Sequence, residues 1–215
     1  MIESFEKTKL AGSIAAGALD EVNNIIKPGI TTSEIDKLCY QYINDHKAYS
    51  APLYYRGYPK SCCTSSNHVV CHGIPSEKIL YDGDVINVDV TAIKDGWHGD
   101  TSRMFIVGEC SIKAKKLIKV TYDSMMKAIK TIKANTRIGN IGYTIQKIVE
   151  AEGFSVVRDF CGHGIGKKFH ESPNVLHYGE KDSGQELKEG MIFTVEPMIN
   201  SGKFETKTLK DGWTA

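Results

Sequence analysis

The sequence has no run of about 18 apolar residues, the length that a membrane-spanning helix needs. Its start, MIESFEKTKLAGS, lacks the basic stretch followed by an apolar segment that marks a secretory signal, so residence in the cytoplasm is expected. No block of like charges occurs either. The 27 Lys and Arg stand against 26 Asp and Glu, which leaves no electrostatic footprint for a nucleic acid or a membrane surface. Clustered lysines such as those between Lys113 and Lys119 read as the solvated face of a helix. The 6 cysteines, Cys39, Cys62, Cys63, Cys71, Cys110 and Cys161, include no CxxC pair, and reduced thiols are expected in place of a disulfide framework or a zinc knuckle. What remains is an ordinary globular balance, 215 residues with 41% hydrophobic and 25% charged, enough for one domain.

Hydrophobic spacing supplies the organisation. Leu10, Ile14, Leu19, Val22, Ile25 and Ile26 describe an amphipathic helix that ends at Lys27-Pro28-Gly29. Thr31 with Glu34 reads as a capping box, opening a second helix with Ile35, Leu38, Cys39 and Tyr42 on its buried stripe. The pattern returns later: a helix through Leu117, Met125 and Ile129 to Ile132, a break at 133–136, then a helix carrying Ile141, Ile145 and Ile148. The chain reads as internally duplicated. Strand-like runs follow each helical pair, at Val85–Val90 and Met104–Val107 and again at Met191–Val195. Helices followed by strands predict an α+β fold in which helices cover one face of a mainly antiparallel sheet.

The stretch DVINVDVTAIKDGWHGDTSRMFIV is the most informative. Asp95-Gly96 between two alternating arms predicts a two-residue hairpin, because a type I′ turn needs positive φ at both central positions. That turn pairs Lys94 with Trp97, Thr91 with Asp100 and Asp89 with Ser102. Asp89 and Asp100 then project from one face as diagonal neighbours, while Ile86, Val88 and Val90 point the other way. Two carboxylates in one poorly hydrated place need a cation between them or a proton on one of them. The alternative is an exposed sheet face with two solvated acids. Trp97, His98 and the apolar strand favour a covered face.

In RDFCGHGIGKKFHESP, His163 stands between Gly162 and Gly164, where small neighbours let the backbone approach a ligand closely. The glycine spacing is not a dinucleotide fingerprint, and no Lys-Ser or Lys-Thr follows as in a phosphate loop. A plain turn is the competing reading. Glu196 ends the apolar run MIFTVEP, and Pro197 puts it at a strand end or edge, where a surface glutamate is the alternative. Two aspartates, a histidine and a glutamate together make an oxygen-rich ligand set. It suits Mn²⁺, Fe²⁺, Co²⁺ or Zn²⁺, in sets that commonly hold two ions about 3.5–4 Å apart.

In this order and at these spacings, the segments KPGITTSEID, YRGYPKSCCTSSNHVVCHGIP, LYDGDVINVDVTAIKDGWHGDTSRMF, CGHGIGKKFHESP, FTVEPM and KDGWT resemble the type I methionine aminopeptidases of bacteria and organelles. The resemblance runs through nearly the whole chain. It implies the pita-bread fold, two pseudo-symmetric halves around a curved antiparallel sheet. It also implies removal of the initiator methionine from nascent chains whose second residue is small, by a monomer working at the ribosome. Carried over by position, Asp89, Asp100, His163 and Glu196 match the metal ligands, with Asp100 bridging two divalent ions (Co, Mn, Fe, Zn or Ni). His72 and His170 match the histidines that contact substrate, and Tyr55, Tyr58, Cys63, Phe169 and Trp213 match the walls of the methionine pocket, a lining suited to a thioether. Such ions supply an acidified water and a polarised carbonyl. Glu196 is expected to pass a proton to the leaving amine, while His170 and His72 steady the oxyanion and the scissile amide.

Two departures carry expectations of their own. Arg56 stands where relatives have histidine, at the rim of the cleft, and predicts altered peptide contacts with the chemistry retained. The resemblance also implies a strand past KDGWT bearing another bridging glutamate. The sequence reaches Ala215 with four of these ligands, so the last inner strands are expected to be missing. A proline-directed peptidase of the same fold and a module that only binds peptides are the competing functions. The cluster of Tyr58, Cys63, Phe169 and Trp213 argues against the first, and metal content separates the second.

Overall fold

Residues 2–215 are described by a computed structural model, and they divide into two units. The first runs to Ser111 and takes in Gly166–Phe169 and Lys207–Ala215; the second consists of Ile112–Ile165 and His170–Thr206.

In the first unit, helix α1 (Ile2–Ile25) starts two turns before the apolar pattern does. Its extension is an exposed segment with an i, i+4 pair, Lys7 Nζ lying 2.7 Å from Glu3. The buried stripe is Ala11, Ile14, Ala15, Ala18, Leu19 and Val22, whereas Leu10 is largely exposed. Helix α2 (Thr32–Asp45) opens with the expected capping box. The Glu34 N–H donates to Thr31 Oγ1 at 3.2 Å, and the Thr31 N–H donates to the Glu34 carboxylate at 2.7 Å.

The sheet of this unit is four-stranded and antiparallel. Strand β3 (Val85–Lys94) pairs on one side with β1 (Tyr49–Ser50) and β2 (Cys63–Ser66), and on the other with β4 (Trp97–Ile106). The β3–β4 register is the one that the turn dictates: Lys94 opposite Trp97, Thr91 opposite Asp100, Asp89 opposite Ser102. Asp95 and Gly96 both have positive φ, at 50° and 77°. Ile86, Val88, Val90 and Ala92 are fully buried against α1 and α2, and burying each Ile or Val contributes about 1.5–3 kcal/mol. Gly99 faces Ala92 where α1 crosses; a Cβ on it would stand 2.0 Å from the Gly12 nitrogen, so only glycine admits the helix at that point.

The second unit repeats the element order. Helices α3 (Ile112–Ile129) and α4 (Gly139–Ala151) precede β5 (Ser155–Val156), β6 (Gly162–Gly164), β7 (Glu171–Val175) and β8 (Ile199–Asn200). β5 pairs with β8 and β6 with β7, both antiparallel. The core contains Ala128, Ile141, Ile145, Val149, Val156 and Val175. Helix α3 ends at Ile129, one turn short of the expected Ile132. Lys113, Lys115, Lys116 and Lys119 are exposed on it, as a solvated face requires. The run Met191–Val195 forms no ladder: one bridge joins Phe193 to Gly164, and the next N–H on that edge, that of Glu196, goes to a side chain instead of a strand. β6 and β7 occupy the segment RDFCGHGIGKKFHESP and the two residues that follow it.

All six cysteines are free thiols, in keeping with the sequence reading. Among the described residues, no helix is long and apolar enough to cross a membrane.

Candidate metal centre

The first unit supplies two carboxylates on one sheet face. Asp89 and Asp100 lie on the side of the hairpin opposite the buried Ile86, Val88 and Val90. Thr91, opposite Asp100 and buried, donates its hydroxyl to Asp100 Oδ1 at 2.8 Å. That bond orients the carboxylate from behind, as the partners of metal-binding carboxylates do.

An aromatic and sulfur wall adjoins this acid face within the same unit. Cys63 of β2 stands opposite Asp89. Burial, reinforced by the Asp89 charge, pushes its thiol well above the ordinary range, so Cys63 is a neutral S–H and not a thiolate ligand. Tyr58, 2% exposed, directs its hydroxyl at the carbonyls of Cys62 and Gly73 at 3.1 and 3.0 Å. The Tyr58 ring meets Trp213 edge-on at 5.1 Å, and Tyr55 meets Phe169 edge-on at 5.0 Å. Trp213 is placed by Asp211, whose Oδ1 accepts the N–H of Trp213 at 2.9 Å and that of Thr214 at 2.8 Å. These bonds hold the Asp211 carboxyl below its usual range. His72 sits 6.4 Å from Trp213 with positive φ, and burial lowers its pKa against the opposing pull of Asp100.

The second unit supplies an imidazole and a carboxylate. His163 lies in β6 and is 7% exposed. Its Nδ1 is 3.0 Å from the Gly164 carbonyl, which fixes the proton on Nδ1 and the lone pair on Nε2. That Nε2 is 3.5 Å from Glu196 Oε1. Thr194 binds both partners: the His163 N–H donates to its hydroxyl oxygen at 2.9 Å, and its hydroxyl donates to Glu196 Oε1 at 2.6 Å. The His170 ring is 4.1 Å from that of His163. The glycines beside His163 also answer to packing. A Cβ on Gly162 would stand 2.5 Å from the Thr194 carbonyl oxygen, and one on Gly164 would stand 2.1 Å from that of Ser172. They admit neighbouring backbone.

Comparison with known proteins decides the family. Metallopeptidase family M24 matches residues 6–213. The chain is 54% identical to the methionine aminopeptidase of Rickettsia prowazekii (strain Madrid E) over 213 residues, 99% of this chain and 82% of that protein. Against the methionine aminopeptidase of Escherichia coli (strain K12) it is 54% identical over 214 residues, 99% of this chain and 81% of the relative. The chain belongs to metallopeptidase family M24, among the methionine aminopeptidases. A crystal structure of the Rickettsia prowazekii methionine aminopeptidase superposes with a TM-score of 0.98 at 53% identity, covering 100% of this chain and 87% of that one. The fold is therefore the pita-bread fold of the M24 peptidases.

The donor atoms fit the divalent metal that an M24 metallopeptidase uses. In the second unit a lone-pair nitrogen and a carboxylate oxygen, both acceptors, face each other at 3.5 Å, an arrangement that a cation relieves. One residue that supports the Glu196 backbone carried no signal in the sequence. His177, 1% exposed, accepts the Glu196 N–H on Nε2 at 3.1 Å. Burial lowers its pKa to about 4, so it stays neutral and remains an acceptor. It replaces the ladder partner that Glu196, next to Pro197, does not have. Replacing His177 by Leu is expected to cost about 1–3 kcal/mol, because it leaves a buried N–H unpaired. Gln, which restores an acceptor, should recover part of that loss. Urea unfolding of the two variants checks this, and equal stability of both would refute it.

Proposed function

We propose that this chain removes the N-terminal methionine from nascent proteins and peptides with a small second residue. The observation that carries the reading is one cross-strand pair: Cys63 stands opposite Asp89, so a neutral thiol of an aromatic wall adjoins the acid face directly. An apolar, polarisable lining beside the hydrolytic ligands suits a thioether side chain next to the bond to be cut. The name shared by relatives 54% identical to the chain supports the same reading.

Asp89, Asp100, His163 and Glu196 are the residues that would hold divalent ions, two of them by this reading, of Co, Mn, Fe, Zn or Ni. In support, Asp100, His163 and Glu196 each offer a ligand atom, and none of the four donors is a thiolate. When bound, such ions lower the pKa of a water and polarise the scissile carbonyl. The protein groups do the rest. Tyr55, Tyr58, Cys63, Phe169 and Trp213 enclose the methionine side chain and exclude water. His72, kept neutral by burial, and His170 hold the scissile amide and the developing oxyanion. Glu196, held by the Thr194 hydroxyl, takes the proton of the attacking water and delivers it to the leaving amine. The proposed setting is the cytoplasm, acting at the ribosome as a monomer, with both units serving as one catalytic domain.

The chelator-treated protein is expected to release no methionine from Met-Ala-Ser, and added Co²⁺ or Mn²⁺ to restore release. Xaa-Pro peptides should be cut at least about tenfold more slowly, the scale on which a shaped pocket discriminates. Undiminished release after chelation would refute the metal role, and faster Xaa-Pro cleavage would favour a proline-directed peptidase. A protein that binds no stoichiometric transition metal would be a binding module.

A further inference from the structure

The segment Ala51–Lys60 forms a tight, strained rim in the first unit. The Tyr54 N–H donates to the Tyr58 carbonyl at 2.8 Å, and the Tyr58 N–H donates back to Tyr55 at 2.9 Å. Inside this brace, a 3₁₀ turn at Tyr55–Gly57 sets Arg56 at its tip. Arg56 has φ 49° and ψ 29°, flanked by Tyr54 at φ 66° and Gly57 at φ 88°. Non-glycine residues in the left-handed region cost about 1 kcal/mol or more each, and two within three positions persist because the surrounding hydrogen bonds impose them.

The result is a cation fixed against the pocket wall. The Arg56 guanidinium carbon lies 5.4 Å from the centre of the Tyr55 ring, and Tyr55 in turn meets Phe169 at 5.0 Å. Arg56 is exposed and has no carboxylate partner among the described residues. The chain immediately before Phe169 adds Lys167 and Lys168, both exposed. Lys167 stands 5.6 Å over Trp97. A peptide whose first side chain lay against Tyr55 and Phe169 would bring its later residues close to Arg56.

We propose that Arg56 is a specificity-determining residue that reads an acidic side chain of the peptide substrate beyond its second residue. The inference rests on the aminopeptidase reading above. A guanidinium lying over an aromatic ring at the surface still has N–H groups to offer, in the fork geometry that matches a carboxylate.

The test uses pentapeptides beginning Met-Ala, with Glu or Lys placed in turn at positions three, four and five. At one of these positions the metal-loaded protein should show a Glu-over-Lys preference in kcat/KM of about threefold to fivefold, the size that an exposed charge pair supplies, carried mainly by KM. The preference should fall towards one in R56Q, stay intermediate in R56K, and shrink in the unaltered protein as salt is raised from 0.05 to 0.5 M. A wild-type preference within twofold of one at every position, or a preference untouched by both R56Q and salt, overturns the proposal. Absence of methionine release from all the peptides would count against the aminopeptidase reading itself, a distinct outcome.

Discussion

Replacing Asp100 by Ala is expected to lower kcat/KM for Met-Ala-Ser by more than about 10³-fold, equivalent to about 4 kcal/mol of lost transition-state stabilisation. The size follows from its position. Asp100 shares one sheet face with Asp89, and the Thr91 hydroxyl at 2.8 Å aims its carboxylate. Losing it removes a charge that the proposed ions require. Stability should change little, because the relief of one of two like charges is offset by the acceptor taken from the buried Thr91 hydroxyl, and the packing of Ile86, Val88 and Val90 lies on the opposite side. Asp100→Asn separates charge from shape: it keeps an oxygen for the Thr91 bond and is expected to lose activity to a similar degree. Steady-state kinetics with metal analysis of both variants checks the prediction. Turnover within tenfold of the parent in either variant would remove Asp100 from the centre.

Gly164→Ala should damage both fold and activity. The added methyl would meet the Ser172 carbonyl oxygen at 2.1 Å, its carbon at 2.5 Å and the Glu171 carbonyl oxygen at 2.9 Å, all backbone atoms of β7 that have no rotamer to change. Forcing that strand aside is expected to cost about 1–3 kcal/mol. The β6–β7 register already shifts between His163 and Gly164, so the displacement falls on the imidazole that the ladder carries. Activity should drop more than stability does. Gly202→Ala is the control: nothing lies within 4 Å of its added methyl, and a surface change of that kind stays within about 0.5 kcal/mol. Comparing urea midpoints and Met-Ala-Ser turnover of the two variants tests the argument. Parent-like behaviour of Gly164→Ala would show that β7 gives way freely.

The hairpin was legible because its determinants are local. A two-residue turn sets the register, the register sets the face, and Asp89 and Asp100 follow from Asp95-Gly96 alone. The capping box of α2 and the stripes of the helices are local in the same sense. What the sequence hid depends on distant backbone. The glycines around His163 read as ligand access, and only the fold shows Thr194 and Ser172 packed against them as well. His177, in VLHYG, looks like any buried polar residue, and only the Glu196 N–H next to a proline gives it work. The run MIFTVEP has the composition of a strand yet gains one bridge, because a ladder needs a backbone partner along its whole length and here the next N–H, that of Glu196, finds the His177 ring instead. The resemblance placed the wall residues by position; their contacts, Tyr58 with Trp213 and Tyr55 with Phe169, join parts of the chain far apart in sequence.

That separation bears on how the molecule comes into being. The acid-bearing hairpin and its helices are complete by Ser111, whereas Phe169 and Trp213 reach the same unit from stretches synthesised later. Closing loops of that length is entropically slow compared with forming a hairpin, so the wall is expected to be the last part of the unit to assemble. During synthesis the protein would carry the paired carboxylates of the hairpin before the docking wall for a side chain is closed, and before His163 and Glu196 exist to complete the ligand set.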